Sequence, residues 1–321
     1  MALVSIIVPV YNGASTIRET LDSVLQQSFD AFELIVIDDG STDNTLEIVA
    51  SFDDPRLSVF SYPNAGVATT RNRGVAQAST EYISFIDADD LWTPDKLARQ
   101  LDALESSSNA AVAYSWTDYI DQSGRFIASD QRVTFSGNAY GELLRRDFLE
   151  SASNVIIRRK AFLDVGGFDP SLSGAADWDF FLRLAKRYDF VAVPHLGVLY
   201  RISNSSMSAN LSMQEQECIA VLEQAYEQAP AHLQSLKPQS FGQLYQYLSF
   251  SAMRGPLSRD SGLMALHYLR RSLAHSPRIA VQRSSLTSIL ILKILAALLL
   301  PTQSQRLLDQ LRLATSGQST R

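Results

Sequence analysis

Cysteine is almost missing from this chain. Cys218 stands alone among 321 residues, so no internal disulfide and no cysteine-rich metal site can form, which fits a reducing compartment. The four histidines (His195, His232, His267 and His275) show no metal-ligand spacing and read as surface or core residues. No Gly-x-Gly-x-x-Gly or Gly-x-x-x-x-Gly-Lys sequence is present, which argues against dehydrogenase and ATPase chemistry. No internal repeat and no low-complexity tract interrupts the chain. An excess of positive charge is lacking too: 28 Lys and Arg against 34 Asp and Glu give −6, which does not suggest a nucleic acid partner. Met1–Pro9 lacks the basic start of a secretion signal and reads as a strand. The expected location is the cytoplasm, or the cytoplasmic face of a membrane.

What is present is ordinary for a globular protein, with 46% hydrophobic and 19% charged residues. The first ~115 residues alternate two patterns. Val4–Val8, Phe32–Ile37, Leu57–Phe60 and Tyr82–Ile86 are short apolar runs, as expected of strands buried on both faces. Between them, helical spacing appears at Ile17, Leu21, Val24 and Leu25 (Thr16 and Glu19 forming a capping box), over Thr45–Ala50 and over residues 67–77. Thr93-Pro94 reads as the start of a further helix carrying Leu97, Leu101 and Leu104. This rhythm predicts a doubly wound, mostly parallel α/β sheet, whose ligands sit beyond the carboxyl ends of its strands. From 116 to 210 the rhythm loosens, with strands at Asn154–Arg158 and Phe190–Val193 and a helix over Asp177–Arg187. After ~212 the pattern is helical, near 213–228, 239–253, 260–274 and 286–299.

Four clusters lie where chemistry is expected. Tyr82–Ile86 runs into Asp87, Asp89 and Asp90, and burying isolated carboxylates is costly unless a cation compensates. Hard oxygen ligands suit Mg²⁺ or Mn²⁺, often together with a substrate's phosphates; a solvated acidic turn is the plainer reading. Asp38-Asp39-Gly40-Ser41-Thr42-Asp43 closes the second strand, where a carboxylate can take hydrogen bonds from a base or ribose, although a helix-capping turn needs the same residues. Gly66 before a helix and Arg71 within it could form a phosphate site or a surface ion pair. Asp177 opens a helix, either as a dipole-favoured acid or as a general base, with Trp178 beside it as a sugar platform.

Taken in order, Val8-Pro9-Val10-Tyr11-Asn12, the Asp38–Asp43 segment, Asn64-Ala65-Gly66 with Arg71-Asn72, Asp87-Ala88-Asp89-Asp90 and Ala176-Asp177-Trp178-Asp179 closely resemble the family 2 glycosyltransferases, inverting enzymes of the GT-A fold, over about residues 3–208. The resemblance implies transfer of a sugar from a nucleotide-diphosphate donor, a UDP-sugar first among candidates, to a carbohydrate or lipid-linked acceptor hydroxyl, with Mn²⁺ or Mg²⁺ as cofactor. It implies that Pro9, Tyr11 and Asp39 hold base and ribose with Asp38 in support, and that Arg71 lies near the base or diphosphate. Asp87 and Asp89 match the DXD motif, the last acid binding metal, and Asp177 matches the catalytic base. Two departures stand out. Ala176 occupies the place of the Glu in the usual Glu-Asp pair. Ser203 occupies that of a His found in many relatives, where Arg201 is expected to supply the charge. A nucleotidyltransferase, and a non-catalytic sugar- or polysaccharide-binding protein, are the competing readings.

The expected division is a catalytic domain over 1–212 and a helical extension over 213–321. Charge follows a similar division: residues 1–215 carry −12 and residues 216–321 carry +6. Ser288–Leu300 is apolar apart from Lys293, yet shorter than the ~20 residues a bilayer span needs. The 254–300 stretch fits a buried helix, a span, or a segment docked on a membrane surface.

Overall fold

Short β-branched runs and amphipathic segments alternate into a layered α/β unit in the computed structural model, which describes residues 2–202, 210–254, 258–282 and 284–299. In chain order the elements are β1 (Val4–Val10), α1 (Ile17–Leu25), β2 (Phe32–Asp38), α2 (Thr45–Ala50), β3 (Leu57–Ser61), α3 (Val67–Gln77), β4 (Tyr82–Phe85), β5 (Leu91–Trp92), α4 (Lys96–Glu105), β6 (Ala110–Ile120), β7 (Phe126–Ser129), α5 (Tyr140–Arg145), β8 (Val155–Arg158), α6 (Arg159–Asp164), α7 (Ala176–Ala185) and β9 (Asp189–Arg201). The helices α8 (Leu211–Glu227), α9 (Lys237–Ser251), α10 (Arg259–His275), α11 (Ile279–Gln282) and α12 (Ser284–Leu299) follow. Two compact units result: Met1–Leu143 with Asp147–Ser203, and Leu144–Arg146 with Asn204–Arg321.

In the first unit the strands form one sheet in the order β3-β2-β1-β4-β8-β6-β9-β5, with β7 on β6. β1 to β4 are mutually parallel, β6 and β9 are parallel to each other, and β8 runs against both β4 and β6. Every residue of β1 is buried, as its unbroken apolar run requires. Helix α3 lies so close to β1 and β2 that a Cβ on Gly74 would stand 2.3 Å from Ile7 Cγ2. The sheet thus brings the ends of β1, β2 and β4 together, carrying Asn12, Asp38-Asp39 and Asp87–Asp90.

Three local expectations give way to tertiary contacts. The helix expected at Thr93-Pro94 begins at Lys96, because Leu91–Trp92 pairs with β9 and the Thr93 amide donates to Gly197 O at 3.0 Å. Thr16 makes no side-chain cap, and Glu19 turns instead to Arg201 at 2.7 Å. The region of loosened rhythm holds the longest strand, β9, and the second half of the next longest, β6. The buried Ser115, Thr117 and Asp118 of β6 had broken its apolar pattern.

In the second unit, the helices expected after residue 212 are present as α8, α9, α10 and α12. α10 opens with reciprocal Ser258–Ser261 hydrogen bonds, both at 3.0 Å. Met253, Ala265, Leu269, Leu290, Ile294 and Ala297 form a small core there. Among the described residues no helix is long and apolar enough to cross a membrane.

Candidate active site

At the end of β2, Gly40 takes φ +82°, which a side chain would resist. Asp38 is buried and its Oδ1 accepts the Ser41 amide at 3.0 Å, closing the turn. Asp39, also buried, gathers the opposite loop. Its two oxygens accept the Ala65 and Gly66 amides, both at 2.9 Å, and Arg73 Nη1 at 3.2 Å. Asn12, at φ +52°, joins this ledge by accepting the Thr42 amide at 2.8 Å and donating its own to Ser41 Oγ at 2.9 Å. Tyr11 is 54% exposed and free to offer its ring, whereas Pro9 is buried within β1 and shapes the ledge without presenting a surface of its own.

The acid run after β4 is organised by Arg71. This side chain is buried, and its Nη1 stands 2.5 Å from Asp177 Oδ1 while Nη2 stands 2.6 Å from Asp87 Oδ1. Phe168 lies beneath the guanidinium at 5.2 Å, and Nε is buried with no hydrogen-bond partner among the described residues. The two carboxylates hold Arg71 firmly in its charged form. The sequence placed Arg71 at the donor's base or diphosphate; the structure places it between the acid of the β4 loop and the acid of α7. Asp177 receives a second hydrogen bond, from the Ala152 amide to Oδ2 at 3.0 Å. Burial raises its pKa above the ordinary carboxylate value, Arg71 pulls it back, and Asp87 adds to the rise.

Sequence reasoning missed the loop between α5 and β8. Ser153 Oγ donates to Asp90 Oδ2 at 2.6 Å and accepts the Asp87 amide at 3.0 Å, so one hydroxyl fixes both ends of the acid run. Asp147 Oδ1 accepts the Leu149 and Glu150 amides, and burial pushes its carboxyl up to about 7. Glu150 sits at φ +66° and bonds the Tyr119 hydroxyl. An uncharged Ser-Ala-Ser stretch gives no warning of such a role.

Two assignments are corrected. Trp178 is no sugar platform: it is 6% exposed, with Nε1 donating to Leu143 O at 2.8 Å. It shares a helix face with the buried Phe181, Leu182 and Ala185, a spacing that was legible in the sequence. Arg201 does not turn its charge toward a donor. Its side chain is 2% exposed, and Nε donates to Asp89 O (2.7 Å), Nη1 to Gln122 O (2.9 Å) and Nη2 to Glu19 Oε2 (2.7 Å). It ties the acid run to α1 and to the turn after β6. Ala176 is buried and brings no acid of its own to the start of α7. Ser203 lies outside the described residues.

Asp89 is the acid best suited to a cation. Its carboxylate is bonded to no side chain among the described residues, and burial together with the charge of Asp87 pushes it up to about 6. Asp90 is driven up more strongly by burial, Asp89 and Asp87. An under-neutralised oxygen donor of this kind fits Mg²⁺ or Mn²⁺. No group of three or more His, Cys, Asp or Glu that could hold a metal occurs among the described residues, so Asp89 would furnish only part of a coordination shell.

The family model described as glycosyltransferase like family 2 matches residues 5–252. The chain belongs to that family. Among its family 2 relatives, a glycosyltransferase named TuaG for teichuronic acid biosynthesis in Bacillus subtilis is 32% identical over 219 residues, covering 65% of this chain and 82% of that protein. An uncharacterized glycosyltransferase of Rickettsia typhi is 34% identical over 193 residues, 58% of this chain and 60% of the relative. Against three further Rickettsia glycosyltransferases the chain spans 37%, 21% and 24% of their lengths. Two solved structures share the GT-A type fold. Staphylococcus aureus TarS 1–349 in complex with UDP-GlcNAc has a TM-score of 0.56 at 19% identity, covering 88% of this chain and 92% of that one. The mannosyltransferase PcManGT of Pyrobaculum calidifontis, in complex with GDP-Man and Mn²⁺, has 0.60 at 20% identity, covering 94% and 82%.

Proposed function

We propose that this chain transfers a sugar from a nucleotide-diphosphate donor to an acceptor hydroxyl with inversion at the anomeric carbon. The observation that supports the reading most is the Arg71 bridge, in which one guanidinium holds both the acid of the β4 loop and the acid of α7. Asp177 takes the proton of the acceptor hydroxyl as the acceptor oxygen bonds to the anomeric carbon. The bond from that carbon to the diphosphate oxygen breaks, and the nucleoside diphosphate leaves. A base raised above the usual carboxylate range is better matched to this proton transfer than a surface aspartate. The Ala152 amide and Arg71 fix the orientation of the carboxylate, so little geometry has to be found during reaction.

On the donor side, Tyr11 and Asp39, backed by Asp38, form the ledge for base and ribose, and the end of the acid run faces the diphosphate. Asp89 would hold Mg²⁺ or Mn²⁺ beside Asp87. When bound, that ion supplies positive charge next to the departing diphosphate. A UDP-sugar is the first donor to test, since TarS is described with UDP-GlcNAc. A growing glycan is the first acceptor. Relatives include TuaG and proteins named chondroitin synthase and hyaluronan synthase from Pasteurella multocida.

The test is nucleotide release from a panel of nucleotide sugars, with Mn²⁺ or with chelator. Transfer predicts acceptor-stimulated release of a nucleoside diphosphate that stops in Asp177→Asn. Release of inorganic diphosphate from a nucleoside triphosphate would favour a nucleotidyltransferase. Tight donor binding with no turnover on any acceptor would favour a binding protein.

A further inference from the structure

Helix α12 is apolar around nearly its whole circumference, and such helices are ordinarily buried on every side. Among the described residues this one is covered on one side only. Leu290, Ile294 and Ala297 pack into the small core with Met253, Ala265 and Leu269. On the other side Leu286, Ile289, Leu292, Leu295 and Leu299 recur every three or four residues and stand in solvent, Leu292 at 66% and Leu299 at 74% exposure. The strip extends onto α10. Gly262 approaches Ala297 so closely that a Cβ there would lie 2.9 Å from the alanine's own, and the adjoining Leu263 and Met264 are exposed. An uncovered apolar strip of this length marks an interaction surface.

Charge decides what covers it. Residues 254–293 contain seven basic side chains and a single acid, Asp260. Arg259, Arg270 and Arg278 are exposed, while Arg271 is paired with Glu215. A second copy docking on the strip by twofold symmetry would bring two stretches of net positive charge together, which is unfavourable. The exposed row also offers almost nothing to hydrogen-bond, Ser288 apart, whereas protein partners bring polar contacts in number. An anionic lipid surface meets both conditions: acyl chains for the leucines and phosphates for the arginines. At 16 residues α12 measures about 24 Å, short of the hydrocarbon core, so it would lie in the plane of the interface instead of crossing it.

We propose that the outward face of α12, with the arginines of its unit, docks the protein on an anionic bilayer. The proposal does not rest on the catalytic reading, because vesicle binding is read without turnover. The experiment is co-sedimentation of the full 321-residue chain with phosphatidylglycerol-containing or pure phosphatidylcholine vesicles. Binding is expected to the anionic vesicles, to weaken severalfold in about 0.5 M salt, and to fall at least about tenfold in the Leu292→Glu/Leu295→Glu variant. That variant should keep the helical circular dichroism of the parent. Three results would overturn the proposal. One is no preference for anionic vesicles, and another is equal sedimentation of parent and variant. The third is a parent dimer, seen by light scattering, that the variant breaks, which would give the strip to a second copy. If the parent fails to bind but a chain ending at Leu300 does, the strip is covered by residues 301–321 and the proposal is equally wrong.

Discussion

Arg71 and Asp177 stand 106 positions apart in the chain and meet at 2.5 Å, and the same guanidinium holds Asp87 at 2.6 Å. One buried cation therefore compensates two carboxylates. Removing it as Arg71→Met leaves both acids in a desolvated place with no counter-charge, a loss of about 3–5 kcal/mol by analogy with other broken buried pairs. Arg71→Lys keeps the charge but not the planar fork that spans two acids, and should fall between. Chemical denaturation checks both, and the deficit of the Met variant should shrink at acid pH as the carboxylates protonate. A Met variant as stable as the parent at neutral pH would mean that the bridge holds nothing together.

Asp177→Asn should lower transfer by about 10²–10⁴-fold, the range typical of a lost general base. Donor affinity, measured by calorimetry, should stay within a few fold. The base works only when ionised, and its pKa is raised. The acid limb of the kcat/KM profile should therefore lie above the range of an ordinary aspartate. Near-normal turnover in the Asn variant would remove Asp177 from the mechanism.

Asp147 supplies a pH test of stability. Its carboxyl sits at about 7 in the fold against 3.8 for an ordinary aspartate, chiefly through burial, with Asp177 and Asp130 adding to the rise. A raised acid contributes its stability below the unfolded pKa and loses it as pH climbs through the folded one. Asp147→Asn should thus match the parent near pH 4. It should exceed it at pH 8 by about 1–2 kcal/mol, once solvent screening at a half-buried site is allowed for. A difference in melting temperature that does not change with pH would contradict the assignment.

Gly74→Ala probes how tightly α3 sits on the sheet. The new methyl would meet Ile7 at 2.3 Å and Ile37 Cγ1 at 3.3 Å, both in strands with no room to retreat. A cost of about 1–3 kcal/mol is expected. An unchanged denaturation midpoint would show that α3 can shift outward freely.

Much of this arrangement was legible in the residues. β1, β2 and β4 are strands buried on both faces, so their apolar runs are unbroken and their acidic ends conspicuous. Asp39, Asp87, Asp89 and Asp177 announced themselves as acids at the ends of elements. What stayed hidden depended on direction. Nothing local tells that Glu19 turns from its own helix end to Arg201, or that Arg201 turns inward to carbonyl groups; only the fold brings these partners together. Ser153 stayed hidden for a different reason, because a hydroxyl among small residues carries no charge or periodicity to mark it. Trp178 was readable and misread, since its helical neighbours at 181, 182 and 185 already marked the inward face.

If Asp39 binds the donor as proposed, the loop it holds limits how a nucleobase could be read there. A carboxylate has about four lone-pair positions, and the Ala65 amide, the Gly66 amide and Arg73 already occupy three of them. A base seated on Asp39 can give it one N–H. The paired donors along a guanine edge would have to dislodge Gly66 or Arg73, whereas the lone imide hydrogen of uracil would not.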